Sequence, residues 1–298
     1  MNDAAPPASA DAILRAITDD AAFRVVTVRT TATVRGAVEA QRRLGTLAKS
    51  AESEALTRTF GELLTATILV RETMAPDNRV QGILAGGGKS RMVADAHPDG
   101  ATRGIVQMAP GARDMRLESG ASLQMMRTLF SGQIHQGIVA VPPSGSVSGA
   151  LMQYMQDSEQ VVSVIAVGCR VKGGEVIEAG GYIVQLLPEV KEAPLAVMTE
   201  RLRDFATMDP LFDGGHAAPA AMMNELLYAM PYTVVGDGAV RFGCQCSQAR
   251  LAASLATLPR HEIESMIDDG KVLEITCDYC GRDYRIAPEQ LRGLLASN

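Results

Sequence analysis

Patterned sequence begins at Phe23. The run 23-FRVVTVRTTATVRG-36 alternates apolar and polar positions and is rich in β-branched residues, which predicts one strand or two. The period then lengthens. In 53-SEALTRTFGELLTATILVRETM-74, Leu56, Phe60, Leu63, Leu64 and Ile68 fall on one face of a helix. Short β-type runs follow at Val80–Leu84, Arg91–Ala94, Gly104–Met108 and Gly137–Val141, and 147-VSGALMQYMQDSEQ-160 returns to helical spacing. The stretches 161-VVSVIAVGCRV-171 and 176-VIEAGGYIVQLLP-188 read as two strong strands joined at Gly173–Gly174. Strands and helices are interspersed without regular βαβ alternation, so the fold class predicted for residues 21–190 is an α+β core domain. Residues 1–20 read as a loose, flexible tail.

After Pro188 the pattern changes. Residues 191–239 read as a helical linker with two apolar stripes, Leu195, Met198, Leu202 and Phe205, then Met222, Met223, Leu226 and Leu227. The segments 207-TMDPLFDGGHAAP-219 and 230-MPYTVVGDGA-239 read as breaks. This connector is too apolar for a solvated tether and must pack on something. Residues 240–298 form a third, small unit. Val240–Gly243 is strand-like, and Ser247 can cap a helix carrying Leu251, Leu255 and Leu258. Pro259 can open a helix carrying Ile263, Met266 and Ile267, closed by Gly270. Strands are predicted at 271-KVLEIT-276 and 283-DYRIA-287, and a last helix near Pro288.

Composition narrows the functional classes. The 298 residues are 47% hydrophobic and 21% charged, ordinary for a protein with a sizeable core. A net charge of −6 argues against a general nucleic-acid binder, and 4% aromatics without tryptophan argue against base stacking. No stretch has the ~18 uncharged apolar residues of a membrane helix. The start, MNDAAPPASADA, has neither a basic segment nor an apolar run. A cytoplasmic location, with no membrane and no nucleic-acid partner, is therefore expected. The 15 methionines suit cores and also surfaces that accept many partners.

The chemistry lies in the cysteines. Of five, four fall in two tight pairs, 241-RFGCQCSQAR-250 and 277-CDYCGRDY-284. In a reducing compartment such pairs read as metal ligands or redox-active groups before static disulfides. Cys244, Cys246, Cys277 and Cys280 suit one tetrahedral four-sulfur zinc site, with Gly281 positioned for a metal knuckle. A core of the size that residues 241–298 can build supplies only about 3–5 kcal/mol. A structural zinc is worth roughly 10–16 kcal/mol, so metal loss should unfold the unit. The same four thiolates are what oxidants attack, and a CxC disulfide closes a small, strained ring. Spacing therefore leaves open both a permanent zinc staple and a redox switch.

Other signals are weak. In 86-GGGKS-90 the phosphate-loop pattern needs a glycine where Ile83 stands, so a hairpin turn is expected. His261–Glu262 lacks the second histidine of a zinc protease, since residue 265 is Ser. His97, His135 and His216 are scattered, and Cys169 reads as a buried strand residue with no assigned role. No catalytic constellation emerges, and the chain is not expected to be an enzyme.

The stretch FGCQCSQARLAASLATLPRHEIESMIDDGKVLEITCDYCGRDYRI resembles the C-terminal domain of the thirty-three-kilodalton class of redox-regulated heat-shock chaperonins. Upstream, GELLTATIL, VQGILAGGGKSRMVADAHPDGATRG, HQGIVAV, the SEQ of residues 158–160 and AGGYIVQLLP match that family in order and spacing, over about residues 22–295. The resemblance implies a cytoplasmic, ATP-independent holdase for unfolded or partly folded client proteins. It implies one Zn2+ per chain on Cys244, Cys246, Cys277 and Cys280 in the reduced, inactive form. Oxidation would form Cys244–Cys246 and Cys277–Cys280 disulfides, release zinc, and unfold the zinc domain and its metastable linker. That would expose Leu195, Met198, Leu202, Phe205, Met222, Met223, Leu226 and Leu227 as client-binding surface, in a form that tends to dimerise. Two positions depart from the family pattern: Ala249, where an acidic residue often precedes Arg250, and the glycine-rich loop 85-AGGGKS-90.

Two other classes compete. A static zinc-ribbon adaptor would keep its zinc under peroxide, but seven Lys/Arg against eight Asp/Glu in residues 241–298 do not suit a DNA-facing ribbon. A thiol oxidoreductase would want its CxxC at a helix N-terminus, whereas CDYC precedes Gly281 and a strand-like run.

Overall fold

The structure, a computed structural model, describes residues 10–112, 114, 115, 117 and 120–296. The chain divides into two compact units, with the division between Gly243 and Cys244. Residues 240–243, predicted to belong to the small C-terminal unit, lie in the first.

The first unit is α+β and is organised by α2 (Glu54–Thr73). Leu56, Phe60, Leu63, Leu64 and Ile68 are all buried, as the spacing predicts, but every residue from Leu63 to Glu72 is buried as well. The reason is that α2 packs against both sheets of the unit. Two of its buried hydroxyls are satisfied locally, Thr65 Oγ1 donating to Gly61 C=O at 3.0 Å and Thr67 Oγ1 to Leu63 C=O at 2.8 Å. One sheet runs β10-β1-β2-β9-β8, using β1 (Ala12–Thr18), β2 (Phe23–Arg29), β8 (Ser163–Lys172), β9 (Glu175–Leu186) and β10 (Tyr232–Ala239). The other runs β11-β5-β4-β3-β6-β7, using β3 (Arg79–Ala85), β4 (Arg91–Ala96), β5 (Ala101–Gln107), β6 (Ser122–Thr128), β7 (Ile134–Ala140) and β11 (Arg241–Phe242). Among the described residues, only β11 pairs in parallel, with β5. Loop 86–90 is a hairpin turn, Gly86 N–H bonding Ser90 C=O at 3.0 Å.

Several elements differ from the sequence prediction, each for a physical reason. The predicted tail ends earlier: residues 1–9 lie outside the described residues, but Ala12–Thr18 is β1, between β2 and β10. Residues 31–36, expected as strand, open α1 (Thr31–Arg43). Its first turn is capped from a distance, since the Asp11 carboxylate accepts from Ala32 N–H at 3.1 Å and Thr33 N–H at 2.6 Å. Residues 230–239, read as a break, contain β10, which pairs along β1 from Tyr232↔Thr18 to Ala239↔Ala12. Strand β6 was not predicted at all.

The connector lies on the face of the five-stranded sheet away from α2. It comprises α4 (Glu192–Asp204), α5 (Asp209–Asp213) and α6 (Pro219–Leu226). Met198, Leu202, Met222, Met223, Leu226 and Leu227 are buried there against Phe23, Val25, Ala166, Tyr182 and Val184. Phe205 is partly buried in the same cluster, while Leu195 is exposed. Few polar ties hold it: Tyr182 OH donates to Phe205 C=O at 2.5 Å, Thr27 Oγ1 to Pro219 C=O at 2.9 Å, and Arg170 pairs with Asp209 and Asp213. Gly168 of β8 sets the approach, because a Cβ there would lie 2.6 Å from Met208 Cβ.

Glu62 of α2 lines a cavity of about 650 Å³ whose other walls include β8 and the connector residues Met208, Asp209 and Phe212. Burial pushes its carboxyl up to about 7, against the pull of Arg58 and with a small push from Asp209. Cys169, beneath α2, is driven up to about 12 by burial, so its thiol is unreactive at neutral pH.

The second unit holds α7 (Gln248–Leu255), α8 (Arg260–Asp268), the hairpin β12 (Leu273–Thr276) and β13 (Asp283–Ile286), and α9 (Pro288–Ala296). Ser247 caps α7 through Arg250 N–H, as predicted. The buried cluster consists of Ile263, Ile286 and Leu291, with partly buried side chains such as Leu251, Leu255 and Leu273 against it.

Two outcomes are expected. Gly168→Val should force the connector outward, at about 1–3 kcal/mol for overpacking. Limited proteolysis within residues 191–230 should then run about fivefold faster or more; unchanged cleavage would mean that the connector is not seated through Gly168. For Glu62, the folded state keeps its proton to about pH 7 while the unfolded state loses it near pH 4.5. Ionisation therefore costs stability progressively between those values. Glu62→Gln should be neutral at pH 4, increasingly stabilising as pH rises, and level off above pH 7 at roughly 3 kcal/mol. Urea unfolding across pH checks this, and a pH-independent difference would contradict it.

Candidate metal centre

The four paired cysteines converge in the second unit. Cys244 and Cys246 precede α7, and Cys277 and Cys280 lie in the turn between β12 and β13. That turn is a knuckle: Cys280 N–H and Gly281 N–H both bond Cys277 C=O, at 3.3 and 2.8 Å. Gly281 takes φ +70°, a conformation that costs glycine little. Cys277 N–H bonds Arg282 C=O at 2.9 Å, closing the base of the hairpin. On the other side, Arg250 Nη1 donates to Gln245 C=O at 3.0 Å and so fixes the residue between the first two cysteines. Gln248 Nε2 bonds Arg285 C=O at 3.1 Å, tying the start of α7 to β13.

All four Sγ atoms lie within 4.8 Å of one another. Cys244 and Cys277 Sγ are 3.8 Å apart, and Cys246 and Cys280 Sγ 3.4 Å. Zn–S bonds of about 2.3 Å in a tetrahedron demand S···S edges of about 3.8 Å. The array therefore fits a tetrahedral thiophilic ion, and four soft donors select zinc or an iron–sulfur centre over magnesium or calcium.

The protonation pattern follows from packing. Burial alone would raise Cys246, but hydrogen bonds from Tyr284 OH, at 3.1 Å, and from the neighbouring thiols bring it down to about 7. Burial raises Cys277 and Cys280, and the charge of Cys244 adds to both. With protein groups alone, Cys246 gives up its proton readily, while Cys277 and Cys280 hold theirs. A divalent cation changes that balance, since only a positive charge at the centre makes four thiolates compatible.

The sequence singled out all four clustered cysteines but not Tyr284 or Arg250. Both lie inside the quoted motifs, and their roles depend on the β13 register and on the α7 cap. Cys169 is buried in the other unit. His261 is exposed on α8 and the stripe residues of the connector are on the first unit, so neither belongs to the cluster. Among the described residues, no helix is long and apolar enough to cross a membrane.

Comparison with known proteins is consistent along the chain. The family model described as Hsp33 protein matches residues 11–287. A 33 kDa chaperonin of Thermus thermophilus is 32% identical over 95% of this chain and 86% of its own length. A 33 kDa chaperonin of Bacillus subtilis is 29% identical over 95% of this chain and 98% of its own. The crystal structure of a 33 kDa chaperonin, an Hsp33 homolog from Thermotoga maritima, superimposes with a TM-score of 0.77 at 21% identity, covering 96% of this chain and 98% of that one. At that identity the last comparison speaks to the fold.

One metal equivalent is expected. Titration of the reduced, metal-free chain with Co2+ should give the intense visible absorption of a tetrahedral thiolate complex, saturating at one ion per chain. Cys277→Ser should lower affinity by at least about 100-fold, since each thiolate is part of the closed donor set. Saturation at two ions, or an unchanged isotherm in the variant, would contradict a single four-sulfur centre.

Proposed function

This chain belongs to the Hsp33 family, and on that premise we propose that it is a redox-controlled, ATP-independent holdase for unfolded or partly folded client proteins, acting in the cytoplasm without catalytic turnover. The observation that carries the reading is the four-sulfur cluster inside a unit whose buried apolar core is only Ile263, Ile286 and Leu291 among the described residues. Bound Zn2+ would hold the sulfurs of Cys244, Cys246, Cys277 and Cys280 as thiolates and lock the knuckle to the start of α7. In this state the connector covers the five-stranded sheet and the protein is inactive.

Oxidation by a peroxide removes two electrons from each cysteine pair. One S–S bond forms per pair, one peroxide O–O bond breaks, and the peroxide oxygens leave as water or alcohol. The proposed bonds are Cys244–Cys246 and Cys277–Cys280. Sulfurs so paired no longer form a four-thiolate donor set, the ion leaves, and a core worth about 3–5 kcal/mol is left to hold the unit. In sequence, β11 and β10 immediately precede Cys244. Fraying that starts there reaches β10 and then α6. The uncovered surface would be Leu195, Met198, Leu202, Phe205, Met222, Met223, Leu226 and Leu227 with the sheet residues beneath them. Flexible methionines suit partners of no fixed shape. The active form would associate into dimers through newly exposed apolar surface.

The oxidoreductase reading loses support, because Cys277–Cys280 leads into β13 and not into a helix N-terminus. A static zinc staple remains the reading to beat. The decisive experiment follows zinc release colorimetrically while client light scattering is recorded. Peroxide with mild heat should release one zinc per chain and suppress aggregation of a thermally unfolded client. Zinc that resists peroxide favours the static staple, and zinc release without any slowing of aggregation removes the chaperone switch.

A further inference from the structure

β7 is an edge strand of the six-stranded sheet, bonded to β6 on one side only. Natural edge strands are blunted by charges, prolines or bulges, because their free backbone groups recruit other chains. The sequence of β7, 134-IHQGIVA-140, has no Lys, Arg, Asp, Glu or Pro. Its register with β6 runs without a break from Ser122↔Ala140 to Thr128↔Ile134.

The phase of the ladder shows which groups are free to pair. Val141 N–H bonds Ala121 C=O at 2.9 Å, and Leu129 N–H bonds Gln133 C=O at 2.9 Å. Odd-numbered residues of β7 therefore bond β6, and Ile134, Gln136, Ile138 and Ala140 direct their N–H and C=O outward. All four of these side chains are exposed, with Ile134 55% and Ile138 61% accessible, and His135 is exposed on the other face. The opposite face is fixed, since Val139 is buried and a Cβ on Gly137 would strike Ser158 and Tyr154. At the hairpin tip, Phe130 is 92% exposed, extending the apolar rim past the end of the strand.

We propose that β7 is a docking edge for an extended, non-native polypeptide segment, which adds to the sheet as a seventh strand through the outward backbone groups of Ile134, Gln136, Ile138 and Ala140. Main-chain pairing supplies the attraction, and Ile134, Ile138 and Phe130 favour apolar side chains at alternate positions. The uncharged strand exerts no charge selection, which suits clients of unrelated sequence. In the reduced chain a second copy is the poorer occupant, since each copy carries −6 and, with the connector docked, no newly uncovered apolar surface offsets the repulsion. The proposal rests on the chaperone reading only for the class of partner. The edge belongs to the six-stranded sheet, so a short strand can pair there while the connector still covers the holdase surface of the five-stranded sheet, and the docking is separable from the redox switch.

The test uses the full reduced chain and a fluorescent seven-residue peptide alternating Val and Thr, compared with the same peptide N-methylated at alternate residues. Anisotropy should show binding of the first and at least tenfold weaker binding of the second. Gln136→Pro removes one outward N–H while leaving the β6 ladder intact; it should weaken peptide binding about tenfold with no change in zinc content or peroxide-induced zinc release. Hydrogen exchange should show protection of Gln136 and Ile138 amides by the peptide. Equal binding of both peptides, or binding insensitive to Gln136→Pro, overturns the proposal. So does a Gln136→Pro-sensitive dimer in sedimentation of the peptide-free chain, which would give the edge to a second copy. A normal redox switch in the variant would leave the holdase reading standing in either case.

Discussion

Four sulfurs held within 4.8 Å of one another are the constraint on which the second unit depends. Its helices are short, α7 buries no residue, and its apolar cluster is small. Helices of eight or nine residues do not persist without tertiary support. What converges on the cysteines is therefore most of the unit's long-range order: the α7 cap, the knuckle and the β12–β13 hairpin. In the proposed reading, a cross-link that depends on thiolate chemistry would make folding depend on the oxidation state of sulfur, which a purely apolar core would not.

The connector has a complementary design. It is apolar enough to bury Met198, Leu202, Met222, Met223, Leu226 and Leu227 against the sheet, yet it is built from short, interrupted helices with few polar anchors. The Gly168 approach, the Tyr182–Phe205 bond and the Arg170 ion pairs are local contacts, each modest in energy. Arg170 is accompanied by a stacking contact, its guanidinium 5.2 Å from the Phe212 ring centre. Beneath lies a sheet whose own strands are held by β-ladders and by α2, so the cover can be lost without the support. The apolar surface that would then appear is large, contiguous and rich in adaptable methionine.

Much of this was legible in the sequence where the determinants are local. α2, β8 and β9 carry long unambiguous periods, and the four cysteines sit in two short motifs whose spacing alone groups them. What escaped was set by distant partners. α1 is capped by Asp11, some twenty residues away in sequence, so its Thr- and Val-rich run looked like strand. β10 looked like a break because its glycines and Asp237 suit a turn, and only pairing with β1 makes it a strand. β6 has a single β-branched residue, Thr128 at its end, and its order comes from lying between β3 and β7. Tyr284 could be recognised as a sulfur partner only once the β13 register was known. Leu195 belongs to an apolar stripe yet is exposed, because α4 meets the sheet through Met198 and Leu202.

The central claim is that sulfur-held metal keeps residues 244–298 ordered and, through them, the connector in place. Hydrogen exchange of the full chain, read peptide by peptide before and after combined chelation and peroxide treatment, tests it most directly. The account predicts loss of amide protection throughout residues 244–298, then across residues 192–239, with α2 and β9 unchanged. Retained protection in residues 244–298 after the metal has gone and the thiols are oxidised would contradict it.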